Sequence, residues 1–266
     1  MSTIAAQVLA DPVPIPPEIQ EDLKQELAWI EEQEALLIAE DNKPVDSLFS
    51  ELQMRLLVET LYTGWEPPPN KRFPQGERSF WAACNVGVFA APGQPAIVPD
   101  VFLGLDVVRP KYPKYKSFYC WRMGKPPDIV IEIVSGTDGH ELDTKKQDYE
   151  DMRVPYYVVF DPFQFLKQGV LQVFGWNRFQ YEPIEQLIFA ELGLGLTFWH
   201  GVYEKSEETF LRWVDADGNL LPTGDERAAR EAERAEREAE RAELAIERAE
   251  RMAARLRELG IDPEQV

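Results

Sequence analysis

A chain of 266 residues with 44% hydrophobic content can bury one sizeable core and carry appendages. Its formal charge of −19 excludes a protein that coats nucleic acid through a globally basic surface, so any phosphate contact must come from a local patch. No apolar run approaches the roughly 18 residues of a membrane span, the start MSTIAAQVLADPVPIPP lacks signal-peptide features, and two cysteines (Cys84, Cys120) with two histidines are too few for a disulfide framework or a zinc site; a soluble, cytoplasmic protein is expected.

In chain order, residues 1–16 read as a proline-punctuated lead. Ile19, Leu23, Leu27 and Ile30 predict a helix with a strongly acidic outer face over 18–40. A second helix over 45–65, N-capped by Asp46 or Ser47, carries the stripe Leu52, Leu56, Leu57 and Leu61. From 78 to 108 the pattern turns to short strands, SFWAACNVGVFAA and IVPDVFLGLDVV around the turn PGQPA. PPDIVIEIVS (126–135) is the next strand, ELDTKKQDYEDMRV (141–154) a helix and PYYVVFDP (155–162) a strand. Residues 169–221 are hairpin-like, with turns at Trp176–Asn177 and Asp217–Gly218. This order predicts an α/β or α+β sheet with helices packed against it.

The tail differs. Thr223 and Glu226 can form a capping box that opens a helix over about 226–259. Small or apolar residues fall at 228, 232, 235, 239, 242, 246, 249, 253 and 256, an unbroken 4–3 spacing with mostly alanine in the seam. Two readings stand open: an isolated charge-laced helix, or a weak coiled coil that makes the chain a homo-oligomer. Three regions result: a lead and acidic helix (1–45), a central domain (46–222) and a long charged helix (223–266).

The chemical question lies in PPDIVIEIVS. A strand of Ile and Val covered on both faces carries Glu132 at its centre, and a buried carboxylate needs a partner, an Arg, a Lys or a metal ion, or it must shift its pKa. With a side-chain period of two, Asp128, Val130, Glu132 and Val134 share one face. Asp100, after Pro99, opens the preceding strand and sits beside Glu132 if the two strands pair. Two carboxylates converging from neighbouring strands suit a hard divalent cation with open positions for water and phosphate.

VPDVFLGLD, PPDIVIEIVSGT, DTKKQDYEDMRVPYYVVFDP and LRELGIDPEQ occur in that order. Together they resemble the Uma-type restriction endonuclease family of the PD-(D/E)XK nuclease-like superfamily, over residues 46–200 and on through the tail. The resemblance implies a restriction-endonuclease-like mixed α/β sheet flanked by helices, a Mg²⁺ cofactor (Mn²⁺ as substitute) and hydrolysis of phosphodiester bonds in DNA. It makes Asp100 and Glu132 the metal ligands and catalytic carboxylates. Val134 stands where the superfamily has lysine; in the resembling family the lysine lies on the following helix. Lys145, four residues before Tyr149 and seven before Met152, shares their inward face and is the catalytic candidate. Lys146, four before Glu150, is expected at the surface or against phosphate. Glu51, with Glu59 behind it, and Asp128 are further candidates.

Plainer readings exist for several of these. Asp100 can simply start a strand, Asp128 can form a turn after two prolines, Glu132 can be a structural ion-pair partner and Lys145 an ordinary helix lysine. Asp106 and Asp161 end strands, where Asp caps turns. His140 and His200 carry no signal, and the DADGN turn lacks the downstream Glu of a calcium loop. A local basic patch does occur: residues 107–127 contain no acid and carry Arg109, Lys111, Lys114, Lys116, Arg122 and Lys125 among aromatic residues. That composition suits a phosphate backbone and unstacked bases. The expected function is a Mg²⁺-dependent DNA endonuclease; the alternative is an inactive nuclease fold serving as an interaction or oligomerisation module.

Overall fold

The computed structural model describes residues 17–35, 47–70, 78–109, 116–136 and 141–258. Helix α1 (Pro17–Ala35) leaves Ile19, Leu27 and Trp29 half exposed, and the rest of the helix expected to reach residue 40 lies outside the described residues. Helix α2 (Leu48–Gly64) starts at Ser47, whose hydroxyl accepts from the Ser50 amide at 3.0 Å, so Ser47 rather than Asp46 is the cap. Its stripe of Leu52, Leu56, Leu57 and Leu61 is buried as its spacing requires.

Strands β1 (Phe80–Cys84), β2 (Val88–Phe89), β3 (Val101–Leu105) and β4 (Phe118–Tyr119) lead to the one-turn helix α3 (Cys120–Met123). Then come β5 (Ile129–Ile133), α4 (Thr144–Asp151), β6 (Tyr156–Phe160), β7 (Leu171–Asn177) and β8 (Gln180–Pro183). Six of these strands form one mixed sheet in the order β1-β3-β5-β6-β7-β8, in which only β5 and β6 run parallel. α4 is the crossover that a parallel pair requires. β2 and β4 make a small parallel pair beside it. The β7–β8 turn, at residues 178–179, lies two residues further on than the expected Trp176–Asn177: Asn177 still pairs with Gln180, and Arg178 takes φ 58°.

The sheet is covered on both faces. Ile129, Ile131 and Ile133 face a core shared with α2 and with a second sheet of β9 (Ile188–Phe189), β10 (Leu194–Tyr203) and β11 (Ser206–Asp215). Phe102, Val130 and Val134 face the other core, filled by Tyr149 of α4, Tyr157, and Phe118 of β4. This two-sided burial explains the near-continuous apolar sequence of β3, β5 and β6. The mixed, helix-flanked sheet agrees with the expected restriction-endonuclease-like architecture.

Helix α5 (Gly224–Glu258) leaves the body as a 35-residue arm. The capping box is present: the Glu226 carboxylate accepts from the Thr223 amide at 2.9 Å, and the Thr223 hydroxyl accepts from the Glu226 amide at 3.2 Å. Glu226 also pairs with Arg212 at 2.7 Å, whose side chain is fully buried, and this rivets the base of the arm to β11. Beyond its base α5 is solvent-exposed, Ile246 and Met252 included. No helix among the described residues is long and apolar enough to cross a membrane.

Candidate active site

The site forms where β3 begins and β5 ends. The rung Val101–Ile131, carried one residue further, sets Asp100 opposite Glu132 on the face shared by Phe102 and Val130. Asp100 Oδ2 accepts from the Ile133 amide at 2.6 Å, so its carboxylate extends the ladder past the last backbone pair. The pairing that the sequence left conditional is therefore present.

Glu132 is 0% exposed. Its Oε2 accepts from Lys145 Nζ at 2.8 Å and its Oε1 from the Tyr149 hydroxyl at 2.7 Å. Both donors come from α4, one turn apart, which is the spacing that places side chains on one helical face. Asp143 caps this helix through the Thr144 amide, and Tyr149 packs on Tyr157 at 5.2 Å between ring centres. Tyr149 thus reaches the strand from an anchored helix, and Lys145 reaches it from one turn earlier with a third of its side chain in solvent.

The electrostatics follow from burial. Desolvation, and then the Asp100 carboxylate, push Glu132 up to about 8, while Lys145 and Tyr149 pull it down. Burial opposes the charge on Lys145 as well, but Glu132, Asp100 and Glu141 outweigh it and raise the amine above its ordinary value. Burial and the adjacent Glu132 keep Tyr149 a neutral hydroxyl. Lys145 is thus held as an ammonium facing a surplus of acidic groups, Glu132, Asp100 and Glu141, of which Glu132 keeps its proton to a higher pH than an ordinary carboxyl.

That surplus suits a hard divalent cation. Mg²⁺ is usually held by one or two carboxylates together with water and substrate phosphate, not by an all-protein cage. Asp100 and Glu132 supply that number, and among the described residues no group of three or more His, Cys, Asp or Glu side chains is placed to hold a metal.

Comparison with known families places the chain. The model of the Uma2 family, described as "Putative restriction endonuclease", matches residues 53–198, more than half of the chain. The chain belongs to the Uma2 family. No curated protein and no solved structure matches it. The Uma2 match takes in Asp100, Glu132 and Lys145 and leaves Glu51 and the arm α5 outside it.

The remaining candidates are placed elsewhere. Asp128 accepts from the Leu105 amide at 2.6 Å and binds Lys125, tying a turn to β3. Lys146 lies over the Phe174 ring at 4.0 Å rather than beside Glu150, whose carboxylate accepts from the Tyr181 amide. Glu51 pairs with Arg55 at 2.6 Å on an exposed stretch of α2, and Glu59 accepts from Tyr203 and from the Gly224 amide at the base of α5. Asp161 caps the Phe165 and Leu166 amides, the turn-end role expected of it, whereas Asp106 forms a two-bond ion pair with Arg78. Exposed His200 lies near Thr209. Of the basic patch, Arg109 and Lys116 are exposed and Arg122 is partly buried on α3; Lys111, Lys114 and also His140 lie outside the described residues.

Two residues at the site escaped the sequence reading. Tyr149 was legible as inward-facing, but its bond to Glu132 was not. Glu141 was missed altogether: its side chain is 12% exposed and its Oε1 stands 3.6 Å from Lys145 Nζ. The four-residue interval from Glu141 to Lys145 was the available signal, though Glu141 lies before the first residue of α4.

Proposed function

We propose that this Uma2 protein is a divalent-metal-dependent endonuclease that hydrolyses phosphodiester bonds in DNA, with Asp100 and Glu132 as ligands for Mg²⁺, or for Mn²⁺ in its place. The observation that carries the reading is Glu132: a fully buried carboxylate facing Asp100 and answered by a single lysine. A structural ion pair does not need a second carboxylate opposite it, and perturbed groups of this kind cluster at functional sites.

A bound cation would polarise the scissile phosphate and lower the pKa of an attacking water. Within the chain, Asp100 and Glu132 fix the geometry from adjacent strands. Lys145, an ammonium, cannot accept the proton of that water; its part is to orient the water and offset charge gathering on the phosphoryl oxygens. Tyr149 holds Glu132 by donation to Oε1. Arg109, Lys111, Lys114, Lys116 and Arg122 supply the local positive charge that DNA needs on a chain of net −19.

Nicking of supercoiled plasmid by the purified chain in Mg²⁺ or Mn²⁺, beside Glu132→Ala, tests the proposal. Metal-dependent nicking lost in the variant is expected; equal behaviour of the two proteins across metals and substrates refutes it. One observation favours a second reading, an interaction module: the exposed arm α5 with its open Ile246 and Met252.

A further inference from the structure

The Lys145 ammonium sits between two carboxylates of unequal satisfaction. Glu132 has both oxygens bonded, one to Lys145 at 2.8 Å and one to Tyr149 at 2.7 Å. Glu141 has Oε1 at 3.6 Å from the same ammonium, within ion-pair range but beyond a hydrogen bond, and its buried Oε2 meets no donor among the described residues. A buried carboxylate oxygen without a donor is costly, and such atoms are uncommon enough to require a reason. Nor is Glu141 a routine surface partner of a helical lysine. It precedes α4, and its own carbonyl accepts from the buried Tyr157 hydroxyl at 2.6 Å, which fixes its backbone beside the site.

The lysine therefore competes for the atom that a cation would use. Glu132 Oε2 cannot give its lone pairs both to Lys145 and to a metal at full strength, and an ammonium beside a divalent cation repels it. That repulsion favours a shift of Lys145 away from Glu132, and a shift of under about 1 Å brings its Nζ from ion-pair to hydrogen-bond distance of Glu141. We infer that Glu141 is a positioning residue, the second seat of the Lys145 ammonium, to which Lys145 turns when Glu132 takes a divalent cation. This rests on the metal-dependent reading of Asp100 and Glu132, and it adds an exchange of partners that keeps the lysine in the site. With Lys145 on Glu132, Glu141 stays half satisfied; with a cation on Glu132, its donor would arrive.

Calorimetric titration of Mn²⁺ into the full chain without DNA tests this, using wild type, Glu141→Gln, Lys145→Met and the double variant. Glu141→Gln is expected to weaken Mn²⁺ binding about tenfold or more, the usual cost of losing a residue that supports a ligand. On the Lys145→Met background the same change is expected to alter binding by less than about twofold, since a residue acting through the lysine has nothing left to act on. Glu141→Asp, which keeps the charge, falls between wild type and Glu141→Gln and stands in for Gln if that variant melts early. Wild-type affinity in Glu141→Gln overturns the inference. So does an equal loss on both backgrounds, which would mean that Glu141 meets the cation directly. No Mn²⁺ binding by wild type removes the metal-dependent function itself, an outcome distinct from the other two.

Discussion

Glu132→Gln separates a functional carboxylate from a structural one by the sign of its effect on stability. In the metal-free fold Glu132 titrates near 8 against an ordinary value of 4.5. Between those values the unfolded chain has released this proton and the folded chain has kept it. The stabilisation is therefore complete below the ordinary value and is lost as the pH rises through the folded one. Each pH unit in that window removes about 1.4 kcal/mol, so passing from about pH 5 to about pH 8 costs the wild type at most about 4 kcal/mol. Glutamine does not titrate, and it keeps an acceptor for Tyr149. It gives up the ion pair with Lys145, whose side chain is 33% exposed and can turn to water or Glu141, an offset of about 1 kcal/mol. The variant should therefore be more stable than wild type by about 2–3 kcal/mol near pH 8 and within about 1 kcal/mol of it near pH 5. Urea unfolding in EDTA at the two pH values measures this, and Mg²⁺ should then raise the midpoint of wild type alone. Destabilisation by about 3 kcal/mol or more at both pH values would refute the reasoning, because that is the cost of breaking a buried ion pair whose purpose is structural.

Other substitutions test the surrounding assignments. Lys145→Ala should lower plasmid nicking by about 10²–10³-fold, as loss of a transition-state donor does, whereas Lys146→Ala should stay within about threefold and cost under about 1 kcal/mol of stability through its contact with Phe174. Glu226→Ala removes both the helix cap and the partner of the buried Arg212 guanidinium, so thermal unfolding should show a loss of about 3 kcal/mol. If α5 self-associates through its alanine seam, a parallel pairing brings Glu231 against Glu236 and Glu238 against Glu243 of the second helix. Sedimentation should then show association that strengthens from low to high salt as this repulsion is screened; association that weakens with salt would rule out the seam.

The legible part of the site was the part carried by short periods. The β-branched run and the period of two located β5 and put Glu132 on one face, and the interval of four separated Lys145 from Lys146. Both signals survive because burial on both sides of the sheet leaves each side chain only one place to point. Glu141 was not legible because its position depends on the turn before α4 and on Tyr157, sixteen residues away. The second sheet shows the same limit. Its strands read as hairpins, but whether they extend the main sheet or cover it is decided by the packing of Phe189, Leu211 and Trp213 over α2 and β5, which no local pattern encodes.

The placement of the lysine has a physical reason of its own. Val134, where the superfamily pattern puts lysine, is 1% exposed and packs in the core that also holds Tyr149 and Tyr157. An ammonium rooted there would lose its water and press against the hydroxyl that holds Glu132. From α4, Lys145 reaches the same carboxylate at 2.8 Å with a third of its side chain still in solvent. It can also approach a second carboxylate, which a lysine rooted in the strand core would have no evident way to do. The helix position thus exchanges a fully buried charge for one anchored at Glu132 within reach of Glu141. A shift between the two would serve a site whose charge changes during its work, which the proposed metal-dependent reading requires and a structural ion pair does not.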